Sequence, residues 1–116
     1  MKINPVKRII KLSPTGNLDI TFNLNYTGAM QFNDIAEQPD GKLIVVGGSG
    51  TGTTNTFLKR YNADGSLDSS FNIGTGCNGA IYNVKIQADG KIVLQGTFTY
   101  YQGIASKPLV NEAIPW

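Results

Sequence analysis

LKRYNADGSLDSSFN (Leu58–Asn72), a glycine-rich joint, and IYNVKIQADGKIVLQG (Ile81–Gly96) together form one complete copy of a unit that the chain repeats. A shift of 49 positions lays KLSPTGNLDITFN on RYNADGSLDSSFN and IAEQPDGKLIVVGG on VKIQADGKIVLQGT, without a gap. Gly16, Leu18, Asp19, Phe22 and Asn23 recur as Gly65, Leu67, Asp68, Phe71 and Asn72. Gln38, Asp40, Gly41, Lys42 and Gly47 recur as Gln87, Asp89, Gly90, Lys91 and Gly96. A period of about 40 to 50 residues is the mark of propeller blades or solenoid turns.

Working outward from that copy, the sequence predicts strands joined by tight turns. Val6 to Leu12 reads as a strand, Ser13 to Asn17 as a turn, and Leu18 to Phe22 as the strand that returns. Phe32 to Glu37 and Lys42 to Gly47 flank Gln38-Pro39-Asp40-Gly41. Pro presets one turn angle there and Asp-Gly supplies the next, a strong hairpin signal. LIVVGG is apolar at consecutive positions, so both faces of that strand should be covered. Gly47 to Asn55 reads as a flexible loop. Thr56 to Asn62 then pairs with Ser66 to Phe71 across Ala63-Asp64-Gly65, and Ile81 to Gln87 pairs with Lys91 to Phe98 across Ala88-Asp89-Gly90. The fold class expected is all-β, with antiparallel four-stranded blades of propeller type and about two blade equivalents per chain. The repeats span 6–54 and 55–103 within a segment 1–103, and 104–116 is an irregular tail expected either to add one irregular edge strand near Leu109 or to dock on a partner.

Composition narrows the function. The 116 residues are 41% hydrophobic and 16% charged, which fits one globular domain. A net charge of +2 gives no reason to expect nucleic acid. Lys2, Lys7, Arg8 and Lys11 precede the first acidic residue, and lysines of this kind also blunt a sheet edge. The single Cys77 excludes an intrachain disulfide framework and paired-cysteine metal sites. No stretch approaches a membrane span, and MKINPVKRIIKLSP has no apolar core of the length a secretory signal needs. The expectation is synthesis in the cytoplasm, with no signal peptide and no membrane.

NADGSLDSSFN, the glycine-rich joint, QADGKIVLQGTF and the following YQG resemble the delta-60 repeat family. The resemblance runs from Ile9 to Gly103. It implies propeller-like blades of the kind found in bacterial surface or secreted proteins and in bacteriophage proteins, and it carries no catalytic residues. Two departures stand out. GGSGTGTT lacks the aromatic and the Tyr-x-Gly that the second copy keeps as Phe98 and Tyr101-Gln102-Gly103, and the third copy fades after Lys107. Family members carry many repeats in tandem, whereas this chain has two. Since each repeat buries its faces only against its neighbours, two alone leave two apolar flanks. Association is the remedy: a cyclic trimer is favoured, and a larger protein that covers the flanks is the rival.

Chemistry-bearing patterns are few. Gly74-Thr75-Gly76-Cys77-Asn78-Gly79 matches GxGxxG, but a dinucleotide site needs a helix next and IYNVKIQ alternates like a strand. Asn62, Asp64, Ser66 and Asp68 have the alternate spacing of a calcium loop, yet their counterparts Ser13 and Thr15 in the first copy favour a self-capped turn. With no His, the usual nucleophile pairs are missing, and Asp19, Asp40, Asp68 and Asp89 occupy repeat or turn positions. No cofactor, no metal and no catalysis are expected. Phe22, Phe71 and Phe98 read as core. Tyr100, Tyr101, Tyr26 and Trp116 lie in or beside loops and are the candidate contacts for a glycan or a protein partner. The reading is therefore a non-enzymatic structural and interaction module, a bacteriophage virion component of the tail or an appendage. Alternatives are an oligomeric carbohydrate-binding (lectin-like) or bacterial surface adhesion protein and, more remotely, a glycan-cleaving enzyme that uses a carboxylate pair.

Overall fold

The computed structural model describes residues 9–52, 54–102 and 104–105. Every regular element among them is a strand. β1 (Phe32–Glu37), β2 (Leu43–Gly48) and β3 (Thr56–Tyr61) form an antiparallel sheet in the order β1-β2-β3. β4 (Ile81–Ile86) and β5 (Ile92–Gly96) form a second hairpin, and the short β6 (Tyr100–Tyr101) and β7 (Ile104–Ala105) a third. The molecule is all-β and antiparallel, as the sequence predicts.

Both long hairpins turn in the same way. Gln38 N–H donates to Lys42 O, Gly41 N–H to Gln38 O and Lys42 N–H to Asp40 Oδ1. Gln87, Gly90, Lys91 and Asp89 repeat these three bonds 49 residues later. The glycine takes φ +89° in one turn and +85° in the other, a region that a β-carbon disfavours. Each hairpin also carries a register shift at its start, between Phe32 and Asp34 and between Ile81 and Asn83. Such a bulge turns the strand start and re-aims its side chains.

The return strands expected at Leu18 to Phe22 and Ser66 to Phe71 shrink to single bridges, Leu12 to Leu18 and Tyr61 to Leu67. The reason lies one residue later. Asp19 Oδ1 accepts the backbone N–H and hydroxyl of Thr21, and Asp68 Oδ1 accepts those of Ser70. These local bonds curl the chain into a turn and compete with a ladder. Of the first predicted strand, Val6 to Arg8 lies outside the described residues, and Leu12 contributes only its bridge. The predicted edge strand near Leu109 also lies outside the described residues.

β2 is covered on both faces. Ile44 and Val46 point to one side, where they join Leu58, Cys77, Ile81 and Val84 in a core between the two large sheets. Val45 points to the other side and joins Phe22, Leu24, Phe57 and Tyr61. Strand alternation divides the two sets, and both neighbours of the sheet are apolar. By contrast Tyr82 and Val93, on the face of the β4–β5 hairpin away from the core, are exposed.

The segment expected to be a flexible loop is instead sewn to the second repeat. Ala80 N–H and the Thr97 hydroxyl both donate to Gly50 O, Gly52 N–H donates to Asn78 O, and Thr51 bridges Gly79. Backbone groups at the end of β2 thereby find partners in the next repeat, as backbone groups removed from water must.

Candidate interaction surface

The four aromatic candidates do not form one site. Tyr26 packs into the core beside Val45, with its ring 5.2 Å from Phe32 and 5.0 Å from Phe57, and its hydroxyl accepts Met30 N–H at 2.8 Å. Tyr101 packs against the core between the sheets and bridges Cys77. Burial, and then the neighbouring Cys77, raise the pKa of its phenol. Tyr100, the next residue along β6, is exposed. Trp116 lies outside the described residues. Tyr100 and Tyr101 are thus together, and Tyr26 belongs to a different core.

Asn78 holds the Tyr100 loop in place. Its Oδ1 accepts both Thr99 N–H at 2.8 Å and Tyr100 N–H at 2.9 Å, while its Nδ2 donates to Thr99 Oγ1 at 3.0 Å. Residues 74 to 79, the GxGxxG match, run into β4 and not into a helix. Cys77 in that run is buried, and burial pushes its thiol up to about 11. A thiol so held is a packing group, since the thiolate is the reactive species.

The calcium-spaced residues are occupied by one another. Asp64 Oδ1 accepts the N–H and hydroxyl of Ser66, and Asn62 Nδ2 donates to Ser66 Oγ. Asp68 has a different office, which the sequence reading missed. Its Oδ2 binds Lys42 Nζ at 2.7 Å and Arg60 Nε at 2.8 Å, with the carboxylate buried and the cations half-buried. Lys42, then Ser70, hold the Asp68 carboxyl well below the usual range, against the upward push of burial. The charge group ties β2, β3 and the Leu67 bridge into one blade. The signal for it was the recurrence of Lys and Asp at fixed places in each copy, which also serve as turn residues.

Polar side chains likewise join consecutive repeats. Asp34 Oδ2 accepts Val84 N–H at 2.9 Å, and Asn33 Nδ2 donates both to Gly48 O and to Ile81 O at 3.0 Å. This contact is directional: the β1–β2–β3 sheet presents one face to the repeat that follows and the other to the segment that precedes. The preceding cover is incomplete. Leu12 is 53% exposed, whereas Tyr61, 49 positions on, is 0% exposed. Ile10 and Ile35 are also exposed and line one opening, so this flank is apolar there. A cavity of about 190 Å³ opens there among Ile9, Ile10, Phe22, Ile35 and Leu43. Extended apolar patches of this kind mark interaction sites.

Comparison with known proteins agrees with this architecture. Residues 38–71 and 87–107 match the model of a family described as a domain of unknown function (DUF5122) with a β-propeller fold. The two matched stretches begin at Gln38 and Gln87, one repeat apart. No curated protein and no solved structure matches the chain. The chain is built of β-propeller-type repeats similar to that family's, in the manner of a structural or interaction module.

Proposed function

We propose that this chain is a non-enzymatic structural module of the delta-60 repeat type that serves in a bacteriophage virion, in the tail or one of its appendages. The observation that carries the reading is the pair of unlike flanks: one end of the described fold exposes Leu12, Leu18 and Ile35, and the other the outer face of the β4–β5 hairpin. A fold that ends in two such faces is made to be continued by protein. Asp40, Asp64 and Asp89 are engaged in turns, and Asn33 and Asp34 in the contact between repeats, a division of labour that suits assembly. Antibodies raised against the purified chain test the assignment by electron microscopy of particles released from the source culture. Label on tails or appendages is the expected result. Label confined to the bacterial surface would transfer the module to an adhesin.

A glycan-binding role is the second reading, and the placement of Tyr100 favours it. Its ring stands exposed on β6 while Asn78 fixes its backbone, the posture of an aromatic platform. A glycan array separates the two: retention that Tyr100→Ala abolishes supports sugar binding, and silence leaves the structural role.

A further inference from the structure

The two ends of the described fold lack complementary parts. β2 is bordered by β1 and β3, but its counterpart β5 is bordered, among the described residues, by β4 alone. Residues 9–12 are the counterpart of 58–61 in β3, and Leu12 closes on Leu18 as Tyr61 closes on Leu67. Among the described residues this segment has no strand of the β2 kind beside it. Among the described residues, one end therefore offers an edge of β5 with no β3-type strand beside it, and the other a β3-equivalent segment with no edge beside it.

Charge repeats the pattern. Lys42, Asp68 and Arg60 form a closed group in the complete blade. Lys91, the counterpart of Lys42, has among the described residues only a loose pair with its neighbour Asp89 at 3.7 Å and stays 60% exposed. Asp19, the counterpart of Asp68, accepts from Thr21 as Asp68 does from Ser70, with Lys11 in the place of Arg60 and, among the described residues, no salt bridge that closes on it. Packing repeats it again. Ile44 fills the core in contact with the second repeat, and its counterpart Val93 is exposed on the outer face of β5. The position that would receive Val93 is the cavity lined by Ile9, Phe22, Ile35 and Leu43.

We infer that a second copy of this chain completes the blade: its residues 9–12 add antiparallel to the free edge of β5, its Asp19 closes on Lys91, and its Ile35 cavity receives Val93. The inference rests on the structural-module reading and supplies its first partner. The register follows from the complete blade, where Leu43 opposes Tyr61 and Val45 opposes Lys59. Leu12 of the second copy then opposes Ile92, and its Ile10 opposes Leu94. Such a contact is head-to-tail, so it closes into a ring only under cyclic symmetry. Three copies would give about six blades and four about eight, within the range of known propellers.

The test is the solution molar mass by light scattering over a range of concentrations, on the full chain and on charge variants checked for folding by circular dichroism. A trimer or tetramer is expected. Asp19→Lys and Lys91→Asp should each raise the concentration of half-dissociation by about tenfold or more, and the two together should restore it. A second measurement does not depend on those charges. Oxidation of the Leu12→Cys/Ile92→Cys chain should link copies covalently, whereas Leu12→Cys/Val93→Cys should not, because those side chains point to opposite faces. A folded monomer at all concentrations overturns the proposal, as does an assembly insensitive to both charges, or a crosslink formed within one copy. A monomer would leave labelling of virions untouched, and absence of label would leave the crosslink untouched, so the two readings fail separately.

Discussion

Ile35 and Val84 stand at the same place in consecutive repeats, yet Ile35 is 42% exposed and Val84 only 5%. Val84 packs in one core with Leu58 and with Ile44 of the repeat before it, and Ile35 has no such cover within the described fold. Val84→Ala should therefore cost about 2 kcal/mol of folding stability, and Ile35→Ala less than about 1 kcal/mol. Urea unfolding at a concentration where the chain is monomeric measures both. Equal costs would mean that Ile35 is covered in solution.

Asp68→Asn should lower the thermal midpoint by several degrees at neutral pH, because it leaves Lys42 and Arg60 facing an amide. The folded-state pKa of Asp68 is depressed, so its contribution is full above the unfolded carboxylate value of about 3.9 and is lost as pH falls below it. Calorimetry from pH 7 down to 3 should show the gap between wild type and variant narrowing only below about pH 4. A gap that persists unchanged into acid would assign the loss to packing.

The alkaline side belongs to Tyr61. Its ring is fully buried, its hydroxyl has no hydrogen-bond partner among the described residues, and burial, with the nearby Tyr26 phenol, pushes its pKa up to about 12. A raised folded pKa means stability that is intact below the unfolded value of about 10 and declines as pH climbs towards 12. Tyr61→Phe removes an unpaired hydroxyl from the core, so it should change stability at pH 7 by less than about 1 kcal/mol. It should also flatten the decline between pH 10 and 12, while Cys77, at about 11, continues to contribute. Denaturant melts across that range decide it.

Gly16 and Gly65 share one turn geometry, φ +92° and +91°, in different surroundings. A β-carbon at Gly16 meets nothing within 4 Å, whereas at Gly65 it collides with the Asn23 carbonyl. Gly16→Ala should cost about 1 kcal/mol from backbone strain alone. Gly65→Ala should cost roughly 3 kcal/mol, since it also disturbs the bonds from Asn23 and Asn25 N–H to Asp64 O and Gly65 O. Parallel denaturation of the two variants gives the comparison, and similar losses would place the whole effect in the turn.

Much of the fold was legible because hairpin chemistry is local. Asp40-Gly41 and Asp89-Gly90 announce their turns within four residues, and the unbroken apolar run of β2 announces cover on both faces. The return strands were misjudged because Asp19 and Asp68 serve two masters: their spacing fits a strand, but their carboxylates bond forward to Thr21 and Ser70 and curl the chain. The segment from Gly47 to Asn55 reads as a flexible loop because its partners, Asn78 to Ala80 and Thr97, lie far along the chain and are backbone or hydroxyl groups with no sequence signature. For the surface, the presence of only two repeats foretells an apolar flank. It did not reveal that Tyr26 is engaged by Phe32 and Phe57, because an aromatic in a loop carries no record of which ring it will meet.

Gly50 O, which accepts from Ala80 N–H and from Thr97 Oγ1, fixes one more property. Because that carbonyl and its neighbours clamp the first sheet to the second, the tilt between them is set inside the chain. Any closed array built from such units takes part of its curvature from this clamp and the rest from the rotation at the contact between units.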